Sequence, residues 1–135
     1  MAHALLNYDG KCKNIHGHSY KLEVTIKGEP KARHGDPADG LLMDFGDLKK
    51  VINEEVVDVF DHALVIQKDY PADLLKVLNS NFARLIYVSY QPTCENLIAD
   101  FAGRIEHALP PGIVLHNLVL HETATAYCAW FADDQ

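Results

Sequence analysis

The sequence predicts an α+β fold, an antiparallel sheet carrying two main helices on one face. Three observations predict it. A cleanly alternating stretch runs from His18 to Lys27, two amphipathic stretches at helical spacing follow Asp44 and Pro92, and two strand-like runs close the chain.

At most a stub of strand precedes Tyr8. From His18 to Lys27, Tyr20, Leu22, Val24 and Ile26 share one face while Lys21, Glu23, Thr25 and Lys27 share the other, the period of a half-buried strand. Gly28 to Gly40 is rich in Gly, Pro and Asp and reads as a loop. Asp44 caps a helix to about Phe60, with Leu48, Val51, Ile52, Val56, Val59 and Phe60 as its apolar stripe and Asp47 near its positive end. In the stretch 67–90, Pro71 to Leu78 has the pattern of a short helix, and Ala83 to Tyr90 fits a strand or a second short helix. Thr93 caps the next helix, with Glu95 in its first turn and Leu97, Ile98, Phe101, Ile105 and Leu109 on its apolar side; Pro110, Pro111 and Gly112 end it. Val114 to Glu122 and Ala126 to Phe131 are the closing strands.

A chain of 135 residues has the size of one domain, here 1–135 with an atypical stretch at about 67–90. An apolar share of 48% suits a folded chain, and no apolar run approaches the ~20 residues that cross a bilayer. No signal peptide pattern is visible, so a cytoplasmic protein with no membrane partner is expected. The net charge of −7 argues against nucleic acid, whose phosphates need a basic face. A small phosphorylated ligand needs only a local group of cations, which Lys11, Lys13, Lys21 and Arg33 can supply. The three cysteines lack paired spacing and read as free thiols, with packing the expected role of Cys94 and Cys128.

Eight histidines in so short a chain point toward chemistry. In Cys12-Lys-Asn-Ile-His16-Gly-His18, the two histidines stand two apart at the mouth of a strand, so both imidazoles face one side. His3 can join them from a neighbouring strand. Three neutral imidazoles with an open fourth position describe a catalytic zinc site; a His-x-His pair is also common as plain surface histidines. Cys12, between Lys11 and Lys13, reads either as an activated thiolate acting as base or nucleophile or as a structural thiol.

His3, the Cys12-x3-His16-Gly-His18 run and Met43-Asp44-Phe45-Gly46-Asp47-Leu48-Lys49 resemble the 6-pyruvoyltetrahydropterin synthase superfamily. Asp61-His62, Pro92-Thr93-Cys94-Glu95-Asn96-Leu97 and His121-Glu122-Thr123 extend that resemblance, in the family's order, over nearly the whole chain. It implies a tunnelling fold whose barrel is completed by oligomerisation, with a homo-hexamer as the family expectation. It also implies Zn2+ at His3, His16 and His18, and Cys12 as catalytic base in a proton-transfer set with Asp61 and His62, which act on a neighbouring subunit's Cys12 where the site lies between subunits. Glu122 becomes the anchor of a pterin, its carboxylate accepting two parallel hydrogen bonds from the amino-pyrimidine edge, with Thr93 and Glu95 lining the same pocket. Read locally, His62 is a helix C-terminal histidine, Glu95 a helix-start acid and Glu122 a strand-end charge.

The three-residue gap between Cys12 and His16 resembles the 6-carboxytetrahydropterin synthase branch. The implied reaction turns 7,8-dihydroneopterin triphosphate into 6-carboxy-5,6,7,8-tetrahydropterin, releasing acetaldehyde and triphosphate, for queuosine and deazapurine synthesis. The alternatives are a 6-pyruvoyltetrahydropterin synthase, a non-catalytic pterin- or purine-binding protein, and a zinc hydrolase, which the absence of an H-E-x-x-H motif disfavours. Two departures stand out. Only Met1 and Ala2 precede His3, which predicts a first barrel strand cut short, and 67–90 is longer than the family's connection.

Overall fold

The computed structural model describes residues 1–134. In chain order the elements are β1 (Ala2–His3), β2 (His16–Gly17), β3 (Lys21–Gly28), α1 (Phe45–Ile52), α2 (Asp58–Phe60), β4 (Leu64–Gln67), α3 (Ala72–Asn81), β5 (Leu85–Val88), α4 (Cys94–Ala108), β6 (Ile113–His121) and β7 (Tyr127–Phe131). A π-helical turn, Asn53–Val57, joins α1 to α2, so one continuous helical path reaches Phe60.

The closing strands and the alternating stretch form a three-stranded antiparallel sheet, β3-β6-β7. Its inner face is set by alternation. Leu118 and Leu120 of β6 are fully buried, Trp130 of β7 nearly so, and Leu22 and Val24 of β3 pack beside them. The register of β3 on β6 jumps between Thr25 and Ile26, where Thr25 faces Asn117 but Ile26 faces Leu115. That one-residue bulge shifts the parity of β6, which is how Leu115 as well as Leu118 reaches the core.

Both helical paths lie on this face. Val56 and Phe60 pack with Leu97, Ile98, Phe101 and Ile105 of α4 in one apolar cluster against the sheet. Each helix starts where its sequence directs it: Asp44 Oδ1 accepts the Gly46 N–H at 2.6 Å, and Thr93 Oγ1 accepts that of Asn96 at 3.3 Å. The π turn adds a residue to one helical turn and carries Val56, the turn's buried residue, into the apolar cluster with Phe60.

A second sheet has the order β2-β1-β4-β5; the sequence pattern marks only the stub before Tyr8 and an ambiguous Ala83 to Tyr90, and β4 not at all. β1 pairs antiparallel with β2, but β1–β4 and β4–β5 are parallel. β4 escapes a pattern search because both its faces are covered: Val65 enters the main cluster, while Leu64 and Ile66 pack with Leu78, Leu75 and Leu85 beneath α3. A strand buried on both sides loses its alternation. The stretch 67–90 thus holds a helix and a parallel edge strand, with the helix extending to Asn81 and the strand confined to Leu85–Val88.

Candidate active site

β1 and β2 are only two residues each, yet they fix the arrangement of three histidines. Their antiparallel register sets His3 directly opposite His16, and His18 follows two residues on, its N–H bonded to the Met1 carbonyl at 3.1 Å. The ring centroids lie 4.5 Å apart for His3–His16, 5.5 Å for His3–His18 and 5.1 Å for His16–His18. One ligand nitrogen from each falls within 4.8 Å of the others.

Backbone carbonyls hold two of these rings in a usable tautomer. His3 Nδ1 donates to the Pro92 carbonyl at 2.6 Å, and His16 Nδ1 donates to that of Asn14 at 2.7 Å. A carbonyl only accepts, so both protons sit on Nδ1 and both Nε2 lone pairs are left free. Burial lowers the His3 pKa, which favours the neutral ring a metal needs, and the Pro92 bond partly opposes that shift. Close nitrogens, fixed tautomers and a neutral buried member fit a divalent metal of borderline softness.

Glu122, just past the end of β6, stands at the edge of this cluster. Its Oε1 lies 3.7 Å from His3 Nε2 and 3.9 Å from His18 Nε2, and accepts a hydrogen bond from the Tyr20 hydroxyl at 2.9 Å. Tyr20 is the functional-site neighbour that sequence reasoning missed. It shares strand parity with Leu22 and Val24 and so reads as core, yet its ring meets His3 and His18 edge-on, and its hydroxyl is 3.4 Å from His3 Nε2. Burial first, and the Glu122 contact second, push its pKa well above the ordinary phenol value, so it stays a neutral donor.

Thr93 caps α4 and Glu95 lies in its first turn, an end that the His3–Pro92 bond ties to the cluster. Thr93 is spent partly on its cap, and Glu95 is exposed. A clamp reinforces the join. Gln91 Oε1 accepts the Leu6 N–H at 2.9 Å and its Nε2 donates to the Leu6 carbonyl at 2.7 Å, holding the chain after β1 against the segment leading into α4.

Cys12 lies in a 3-10 turn, Lys11–Lys13, on the connection between β1 and β2, half-buried and outside the three-histidine group. Its carbonyl accepts the Leu5 N–H at 2.9 Å. Asp61 and His62 follow α2, with His62 in the left-handed region (φ 57°) and its Nδ1 2.8 Å from Asp61 Oδ2. That hydrogen bond holds the Asp61 carboxyl below the usual range. Both residues are exposed and line a cleft of about 810 Å³ with His18, Tyr20, Phe60 and Phe101. The cleft brings Asp61 and His62 toward the histidine cluster within one chain; no contact joins either to Cys12 among the described residues.

Cys94 and Cys128 face each other across the α4–β7 contact, Sγ to Sγ 2.9 Å, as free thiols. Burial is the main reason both thiol pKa values rise. No helix among the described residues is long and apolar enough to cross a membrane.

A profile of the 6-pyruvoyl tetrahydropterin synthase family matches residues 1–132. The 6-carboxy-5,6,7,8-tetrahydropterin synthase of Haemophilus influenzae is 33% identical over 135 aligned residues, covering 96% of this chain and 91% of its own. The 6-pyruvoyl tetrahydrobiopterin synthase of Homo sapiens is 33% identical over 117 residues, covering 84% of this chain and 66% of its own. Among solved structures, an uncharacterized protein of Wolinella succinogenes superposes with a TM-score of 0.72 at 15% identity, covering 97% of this chain and 92% of that one. The 6-pyruvoyl tetrahydropterin synthase of Caenorhabditis elegans superposes at 0.65 and 24% identity, over 97% and 87% of the two chains. These superpositions match the α+β tunnelling fold. With the profile spanning nearly its whole length and a curated enzyme of matching size at 33% identity, the chain belongs to the 6-pyruvoyl tetrahydropterin synthase family of enzymes.

Proposed function

We propose that this enzyme converts 7,8-dihydroneopterin triphosphate and water to 6-carboxy-5,6,7,8-tetrahydropterin, acetaldehyde and triphosphate, with Zn2+ held by His3, His16 and His18. The observation that carries the reading is the juxtaposition of two functions at one place. Two members of the three-imidazole cluster, His3 and His18, stand within 4 Å of a carboxylate, Glu122, so a metal held there and the carboxylate can act on one substrate. The relatives named for this product match over nearly their whole length, 91% in Haemophilus influenzae and 88% in Rickettsia felis, against 66% for the human biopterin-branch relative.

When bound, zinc would polarise the substrate's side-chain oxygens as a Lewis acid. The chain's own groups do the rest. Glu122 accepts two hydrogen bonds from the amino-pyrimidine edge and fixes the ring's orientation, aided by Thr93 and Glu95. Cys12 takes and returns protons at the side-chain carbons, and Asp61 and His62, paired at 2.8 Å, relay protons for a neighbouring subunit's Cys12. We place the enzyme in the cytoplasm, in the queuosine and deazapurine pathway, as a homo-oligomer, hexameric by family expectation, whose open sheets close into a barrel. The whole chain acts as one domain, with 67–90 as a decoration of it.

Product analysis tests this. Zinc-loaded protein is incubated with 7,8-dihydroneopterin triphosphate beside a Cys12→Ala control. Acetaldehyde with 6-carboxytetrahydropterin, lost in the control, is the expected result. A pyruvoyl product would move the enzyme to the biopterin branch, and pterin binding without turnover in either sample would overturn the catalytic reading.

A further inference from the structure

Asp61 and His62 stand on a turn that has little of its own to hold it. Their side chains are 59% and 87% exposed, so packing does little to fix them. His62 also lies in the left-handed region at φ 57°, which a residue with a Cβ enters at a steric cost. A proton relay tolerates little misplacement, because donor and acceptor must come within hydrogen-bond reach. Such a turn keeps its shape where the surrounding structure imposes it.

One residue grips this turn at both ends. The Arg84 guanidinium reaches from the start of β5 to the end of α2, where its Nη2 donates to the carbonyls of Asp58 and of Val59, the latter at 3.2 Å. The carbonyls on either side are used within the turn itself: Val57 accepts the Asp61 N–H at 2.8 Å, and Phe60 accepts that of Ala63 at 3.1 Å. Arg84 therefore takes the two in between, and its positive charge meets the negative end of the helical path. On the far side of the turn, the Arg84 carbonyl accepts the N–H of Leu64, the first residue of β4, at 2.9 Å. The parallel ladder brings it there. Leu64 pairs with Leu85, so one step back sets Arg84 beside Ala63, although its two carbonyl partners lie 26 and 25 positions away in the chain. The stretch 67–90, otherwise a decoration, is what delivers the guanidinium.

We propose that Arg84 is a positioning residue for the Asp61–His62 relay: its side chain locks the helix end that the turn leaves, and its backbone holds the strand that the turn enters. This rests on the proposed relay role of Asp61 and His62. The rival use of the same cation is direct binding of a substrate phosphate, since Arg84 lines the cleft with both residues. The engagement of Nη2 by two carbonyls favours positioning.

The test is a double-mutant cycle on turnover of 7,8-dihydroneopterin triphosphate by the zinc-loaded enzyme: wild type, Arg84→Ala, His62→Ala and the double variant, with Arg84→Lys beside them. Arg84→Ala should lower kcat about 10–100-fold with KM held within about twofold, as a small misplacement of reacting groups does. His62→Ala should lower kcat at least as much, and Arg84→Ala added to it should cost less than about twofold more. Arg84→Lys keeps a cation with three donors and should recover part of the loss. Amide hydrogen exchange on the metal-free protein gives a readout independent of activity. In Arg84→Ala the Asp61 and Ala63 amides should exchange about tenfold faster, with those of β6 unchanged. A rise in KM with kcat held would assign the guanidinium to substrate phosphate, and an equal fall in kcat in both backgrounds would mean general weakening; either overturns the proposal alone. Unchanged exchange at Asp61 and Ala63 would overturn it too. Wild-type turnover by His62→Ala would bring down the relay itself, and the proposal with it.

Discussion

Gln91 offers a direct measure of how firmly the histidine cluster is tied to the helix that faces it. Its side-chain amide makes a two-point bridge to one residue: the oxygen accepts from the Leu6 N–H and the nitrogen donates to the Leu6 carbonyl, at 2.9 and 2.7 Å. Leu6 lies three residues beyond His3, whose own ring bonds to the carbonyl next to Gln91. Gln91→Ala deletes both bonds. Two neutral hydrogen bonds at ~0.5–1.5 kcal/mol each, discounted because the half-buried Leu6 groups can turn to water, give a loss of about 1–2 kcal/mol. In a chain of this length that corresponds to a fall in Tm of about 3–8 °C.

Gln91→Glu sharpens the reasoning. The carboxylate still accepts from the Leu6 N–H, but its second oxygen now opposes the Leu6 carbonyl where a donor stood. At pH 7 the loss should therefore equal or exceed that of Gln91→Ala. Protonation restores a donor, so the carboxyl pKa of the folded variant is raised above its unfolded value near ~4.3. A group raised in the folded state contributes its stability below the unfolded pKa and loses it as pH rises through the folded one. The stability of Gln91→Glu should thus approach wild type near pH 4 and fall away toward pH 7, relative to wild type at each pH. Urea denaturation followed by circular dichroism across that range reads it. A change in Tm under about 1 °C for Gln91→Ala, or a Gln91→Glu deficit that does not vary with pH, would refute the bridge as an energetic tie.

Three further outcomes follow from the same geometry. His16→Ala, at a partly exposed position, should leave the fold intact and weaken zinc or cobalt binding by more than the ~10–100-fold that loss of an outer partner costs, measured by chelator competition. Because burial raises both thiols, Cys94 and Cys128 should react with iodoacetamide at pH 8 far more slowly than in urea-unfolded protein, followed by peptide mass analysis; equal rates folded and unfolded would contradict their packing role. Leu118→Ala, at a fully buried site between sheet and helices, should cost about 2–5 kcal/mol by denaturant titration, enough to bring a domain of this size near its limit.

What the sequence made legible was whatever repeats at a fixed period or caps an end. The half-buried β3 shows its alternation, Asp44 and Thr93 announce their helices, and both caps are occupied as residue type dictates. β4 stayed hidden because Leu64, Val65 and Ile66 are apolar on both faces, and a short apolar run carries no period. Its parallel pairing with β1 and β5 joins segments that no local rule relates. The π turn was equally silent, since an inserted residue leaves the composition of the stripe unchanged.

The candidate site divides along the same line. His16 and His18 were visible as a pair because a strand's period is two, while His3 needed the register His3–His16 that only the paired strands supply. Tyr20 and Gln91 carry no such signature. One shares the parity of core residues, and the other acts through backbone groups of a residue 85 positions away. Metal ligands and carboxylate anchors must be particular residue types, so chemistry restricts them enough to be guessed. Residues that hold them in place need only reach the right atom, and many types at many positions can do so. Register therefore carries much of this site's information. A slip of one residue between β3 and β6 would send the Tyr20 ring to the other face and break its hydrogen bond to Glu122.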